Sequence, residues 1–144
     1  MTGFPEIVRR LPEADVPFRG ISVRLLQGPT ASAIFVEATE DSAVPAHSHG
    51  AQWGVVVAGE LVLTIGGRTR TYGPGQEYLI PAGVVHAATL KKGVRVIDFF
   101  DDPNRFDQKR DKHPVDSKPR LVFGKNRATV NRCVNTIRRR SLFL

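Results

Sequence analysis

The chain has 144 residues with 41% apolar and 24% charged side chains, a composition for one folded domain and neither a disordered nor a membrane-embedded chain. No apolar run approaches the roughly 20 residues that cross a bilayer, and Met1 to Arg10 lacks a signal-peptide core, so the expected location is cytoplasmic. The single cysteine, Cys133, excludes an intramolecular disulfide and a thiolate zinc cluster.

The net charge of +7 is unevenly placed. Residues 1–104 carry 9 basic and 11 acidic side chains, whereas residues 105–144 carry 12 basic and 3 acidic ones. The basicity therefore belongs to the last part of the chain. Nucleic acid or an anionic membrane surface would meet that part, if either is a partner.

Residues 1–19 contain Pro5, Pro12 and Pro17 and read as an extended N-terminal arm or edge strand, suited to lie along a neighbouring subunit. From residue 20 to 104, short runs rich in β-branched and aromatic residues alternate with turn residues every eight to twelve positions. That rhythm predicts an all-β barrel or sandwich, with no helix before residue 104. The predicted strands are Ile21–Leu26, Ala33–Ala38, Val44–His49, Gln52–Ala58, Glu60–Ile65, Thr69–Tyr72, Glu77–Ile80, Val85–Leu90 and Val94–Phe99. Gly66-Gly67 marks a two-residue hairpin, because glycine accepts the positive φ of primed turns.

Residues 105–144 form a basic C-terminal extension, part-helical or disordered, with a linker from His113 to Pro119. Val130, Cys133, Val134, Ile137 and Ser141 recur at roughly helical spacing there, among residues that are otherwise poor helix formers.

The chemistry sits in the barrel segment. In a strand, residues i and i+2 share a face, so His47 and His49 project together. Gly50-Ala51 permits a bend that turns Gln52 inward, and His86 follows the Pro81–Gly83 turn on a third strand. Three imidazoles and one amide oxygen make a divalent transition-metal site with open positions, where Fe, Mn, Ni, Co, Cu or Zn would fit. The competing reading of Gln52 is a plain polar residue at a strand start, with the histidines alone as ligands.

These residues resemble the cupin superfamily, specifically its small single-domain members. The first cupin motif runs glycine, five residues, H-x-H, three or four residues, Glu, six residues, Gly. His47, His49 and Gly59 match it, Gln52 stands in the glutamate position one residue early, and Asp41 replaces the leading glycine. The second motif is matched by Gly75, Pro81, Gly83 and His86, with Leu90 where an asparagine is usual. The resemblance covers about residues 20–103 and implies a jelly-roll-like β-barrel that binds a metal and commonly forms a homodimer. It leaves the reaction open between a mononuclear metal dioxygenase acting on a small enolisable or anionic substrate and a non-catalytic small-ligand module.

With Gln52 in place of glutamate, the donor set is neutral and the metal charge must be balanced by anions or by substrate. Trp53 reads as a packing residue or a pocket wall, and Glu77 as a solvated residue with a secondary acid–base role. Asp98, a charge inside the apolar run Val96–Phe100, must face outward or meet a partner such as Arg95 or an imidazole N–H. The small residues Ala58, Gly59, Ala82, Gly83, Ala87 and Ala88 imply interior volume near the metal.

Overall fold

The computed structural model describes residues 3–110. Nine strands follow one short helix: α1 (Glu6–Arg9), β1 (Ile21–Gln27), β2 (Ser32–Ala38), β3 (Ser42–His47), β4 (Gln52–Ala58), β5 (Leu61–Ile65), β6 (Arg68–Tyr72), β7 (Glu77–Ile80), β8 (His86–Leu90) and β9 (Arg95–Phe100). Each predicted strand is present; Gln52–Ala58 and Glu77–Ile80 keep their predicted ends, and the others move by one or two residues. The differences in detail carry physical content.

The strands form two antiparallel sheets, ordered β1-β2-β9-β4-β7 and β3-β8-β5-β6. Alternation dictates the core. Val23, Leu25, Ile34, Val36, Val56 and Val96 face inward from the five-stranded sheet, and Leu61, Leu63 and Leu90 meet them from the other. Gly66 and Gly67 take φ values of 54° and 80° and close the β5–β6 hairpin as expected. The β6 edge exposes Arg68 and Arg70, charges that discourage edge-to-edge pairing.

The N-terminal arm differs from its expectation. It contains a helical turn after Pro5, where Glu6 pairs with Arg9 and Arg10. It also lies against its own barrel. Phe4 packs edge-on against Phe35, Glu13 bridges to Arg24 of β1, and Ala14 bridges to Gln108. Backbone bonds from Asp15 to Asp107 and from Lys109 to Glu13 extend this pairing. Residues 105–110 are thus stitched to the arm. The predicted C-terminal helix, the linker histidine His113 and Cys133 lie outside the described residues.

One row of the large sheet governs the interior. Tyr78 of β7, Gly54 of β4 and Asp98 of β9 are direct cross-strand partners. Because Gly54 has no side chain, the Tyr78 hydroxyl reaches across it to donate to Asp98 Oδ1 at 2.6 Å. A Cβ at position 54 would overlap both the Asp98 carboxylate and the Tyr78 ring. The glycine is required by this close approach.

Gly54→Ala should therefore lower stability by about 1–3 kcal/mol, the usual cost of overpacking a tight interior. Gly73→Ala is the control, since its Cβ would meet only Gln76 Oε1, at 3.9 Å. Urea midpoints for the two variants check this; equal midpoints would contradict the assigned role of Gly54.

Candidate metal centre

β3 does not run as predicted to His49; it ends at His47. Its pairing with β8 passes from Val44↔Ala88 to His47↔His86, so β3 holds one extra residue. The extra residue lies around Pro45, which lacks the N–H needed to continue the ladder. In an unbroken strand Val44 and His47 would face opposite sides. The bulge brings both to the interior, opposite Ala88 and His86. His49 follows in the β3–β4 connection, which is held to the next motif by the Gly83 N–H bond to its carbonyl, 2.8 Å.

The three imidazoles converge. Ring centroids are 4.3 Å apart for His47–His86, 4.6 Å for His49–His86 and 5.2 Å for His47–His49. One ring nitrogen from each lies within 4.8 Å of the other two. Each Nδ1 contacts a backbone carbonyl: His47 that of Pro45 at 2.8 Å, His49 that of Gly50 at 2.8 Å, and His86 that of Val84 at 2.9 Å. A carbonyl oxygen only accepts, so each Nδ1 carries a proton and each ring is held with its Nε2 as the free end.

His86 Nε2 is buried with no hydrogen-bond partner among the described residues. Burial pushes the His86 pKa down, assisted by the nearby His47 and Arg105 charges and opposed by the Val84 carbonyl. His49 is lowered in the same way, chiefly by burial. Converging ring nitrogens, one of them buried and orphaned, fit a divalent transition metal, which His47, His49 and His86 could hold.

The centre lines a cavity of about 120 Å³ between the sheets. Its walls are mainly apolar, with Ile21, Leu61, Ile80 and Phe100 from the barrel and Val16 and Phe18 from the arm. Gln52 opens β4 facing inward, 8% exposed. Its Nε2 donates to Asp98 Oδ1 at 2.8 Å. Asp98 meets neither Arg95 nor an imidazole: its carboxylate is buried and accepts from Gln52 and Tyr78. Burial raises the Asp98 pKa to about 6, against the lowering effect of those two hydrogen bonds. Tyr78 is raised well above the ordinary phenol range by burial and by Asp98.

Several sequence expectations end elsewhere. Trp53 points out of the barrel, 39% exposed, with its indole N–H near Glu77 Oε2 at 3.3 Å. It neither packs between the sheets nor walls the cavity, and Glu77 is a surface partner. Of the small residues thought to leave interior volume, only Ala88 lines the cavity.

Two lining residues, Arg105 and Phe106, were not anticipated. The Arg105 guanidinium lies 4.9 Å from the Phe106 ring centroid and 6.0 Å from that of Phe100. Its Nε is buried without a partner among the described residues. The only sequence signal for this pair is Phe106 at the start of an otherwise polar, basic stretch.

A family model described as a Cupin domain matches residues 34–100. Comparison with curated proteins returned no match. Among solved structures, KdgF from Halomonas sp. is 27% identical, with a TM-score of 0.57 over 64% of this chain and 86% of that one. An RmlC-like cupin from Shewanella frigidimarina is 22% identical, with a TM-score of 0.61 over 73% and 96%. A variant of oxalate decarboxylase from Bacillus subtilis is 19% identical with a TM-score of 0.56, covering 67% of this chain but 28% of that longer protein. The matched segment, residues 34–100, takes in both histidine motifs and the strands from β2 to β9, and over it the chain has a cupin fold.

Proposed function

We propose that the protein is a mononuclear metal enzyme whose cavity takes a small, largely apolar molecule bearing an enolate or carboxylate. The observation that carries this reading is the set of three histidines locked at Nδ1 by backbone carbonyls, with the buried His86 Nε2 at the cavity wall left without a partner among the described residues. Gln52 is the fourth donor in this reading. A divalent ion bound there would supply a Lewis acid and a template for a chelating substrate.

The chain's own residues define what can enter. Apolar walls exclude water and favour a hydrocarbon body. Arg105, whose Nε has no partner among the described residues, supplies a positive group beside the cavity for an anionic end. Gln52 is an amide, so it cannot act as a base at neutral pH. The proposed reaction is oxidative cleavage of an enolisable substrate by dioxygen, with both oxygen atoms entering the products. The alternative is a ligand-binding module that uses the same cavity without turnover. Cytoplasmic location and a homodimeric state accompany this proposal. Contact of the basic segment with nucleic acid or anionic lipid remains a separate proposal, tested by polyanion binding at about 100 mM salt.

Metal analysis tests the centre. The wild-type chain should retain close to one equivalent of a divalent transition ion, and His47→Ala and His86→Ala should lose most of it. Retention in both variants would contradict the reading.

Oxygen uptake tests the reaction, after anaerobic reconstitution with Fe(II) and other divalent ions over diketone and phenol panels. Substrate-dependent uptake is expected; binding without uptake under any metal would leave the ligand-binding module. Arg105→Met should weaken anionic ligands about tenfold or more, since a charge-assisted hydrogen bond contributes about 1.5–3 kcal/mol. Neutral analogues should be little affected. Calorimetry on matched acid and amide ligands measures that difference.

A further inference from the structure

The sequence departs from the usual pattern at Gln52, and the structure places a carboxylate directly behind it. Gln52 Nε2 and Tyr78 Oη both donate to Asp98 Oδ1, at 2.8 and 2.6 Å, in a row opened by the missing side chain of Gly54. Asp98 is 6% exposed and Gln52 8% exposed, so these contacts are largely withdrawn from bulk solvent. An amide has one donating and one accepting end. A carboxylate that accepts from Nε2 fixes which end faces it.

The geometry points to Asp98 as a positioning residue that holds the Gln52 amide with its oxygen turned from Asp98 and available to the metal centre. This rests on the proposed metal site. Tyr78 is the second donor that keeps the Asp98 oxygen in place. The arrangement also accounts for glutamine at this position: a glutamate would bring a second carboxylate against Asp98 in a buried, apolar setting. The negative charge that a glutamate would supply stands one residue further back.

A test follows from the symmetry of the carboxylate, which has no wrong end. Asp98→Asn keeps the size of the side chain but presents both a donor and an acceptor, so Gln52 can turn its NH₂ to the metal. Co(II) affinity and the visible absorption of the Co(II) protein report coordination without any assay of turnover. Gln52→Ala and Asp98→Asn should weaken Co(II) binding about tenfold and give similarly altered spectra. Tyr78→Phe should weaken it less. In the Asp98→Asn background, Gln52→Glu should restore affinity to wild type or better, because that substitution needs no orientation.

Wild-type affinity and spectrum in Asp98→Asn, alongside an altered Gln52→Ala, would overturn the positioning role. Unchanged binding in Gln52→Ala would also overturn it, while loss of Co(II) in His86→Ala would leave the histidine centre intact. Retention of Co(II) in His86→Ala would instead bring down the metal site itself. A double variant that binds no better than Asp98→Asn would also count against the inference.

Discussion

A carboxylate buried in an apolar barrel is the constraint around which the interior is arranged. An isolated ionised group in such a place would cost several kcal/mol, so Asp98 requires donors of its own. Two are provided, both on Oδ1: the Tyr78 hydroxyl and the Gln52 amide. Neither would be in place without Gly54, which leaves the space through which Tyr78 approaches from the far strand. Three neighbouring strands are therefore committed by one charge. Loss of either donor leaves the carboxylate under-satisfied, and a side chain at position 54 separates the row.

The histidines are fixed by a different means. Backbone carbonyls of Pro45, Gly50 and Val84, each within two residues of the histidine they hold, take the Nδ1 protons. Local chain geometry thus sets both tautomer and ring direction. The bulge in β3 selects the face, and the bond from Gly83 to the His49 carbonyl ties the first motif to the turn before His86. Metal affinity in such a site depends on ring orientation as much as on ligand identity. Three short-range contacts and one long-range one accomplish that orientation.

These two mechanisms explain which features were legible in the sequence. Strand positions followed from alternation and from glycine-rich turns, because both are local. The spacing of His47, His49 and His86 is likewise a linear pattern. The two partners of Asp98, Gln52 and Tyr78, were not legible, since they depend on the register of β4, β7 and β9 and on a glycine that reads as unremarkable in a strand. Arg105 and Phe106 were also invisible as cavity residues. Their place follows from pairing between Ala14 and Gln108, a contact between opposite ends of the described chain. The bulge at Pro45 changes the facing of His47 relative to Val44, so simple alternation named the right residue for an incomplete reason. Trp53 was misjudged because its apolar bulk says nothing about which side of β4 is outside.

Charge can then be placed where it acts. The formal +7 describes the whole chain, and little of it concerns the cavity. Around the histidines the relevant groups are the three imidazoles, a neutral amide, one carboxylate behind that amide and one guanidinium at the cavity wall. The neutral donor set by itself would leave the full charge of a divalent ion for the ligand to balance. With Gln52 as fourth donor, as proposed, Asp98 would offset part of that charge over one intervening side chain in a medium of low polarity. Arg105 works in the opposite sense, as a positive group in the cavity lining. Under the proposed function a monoanion would satisfy both conditions, balancing the remaining charge at the metal and pairing with the guanidinium, whereas a cationic ligand would meet repulsion from both.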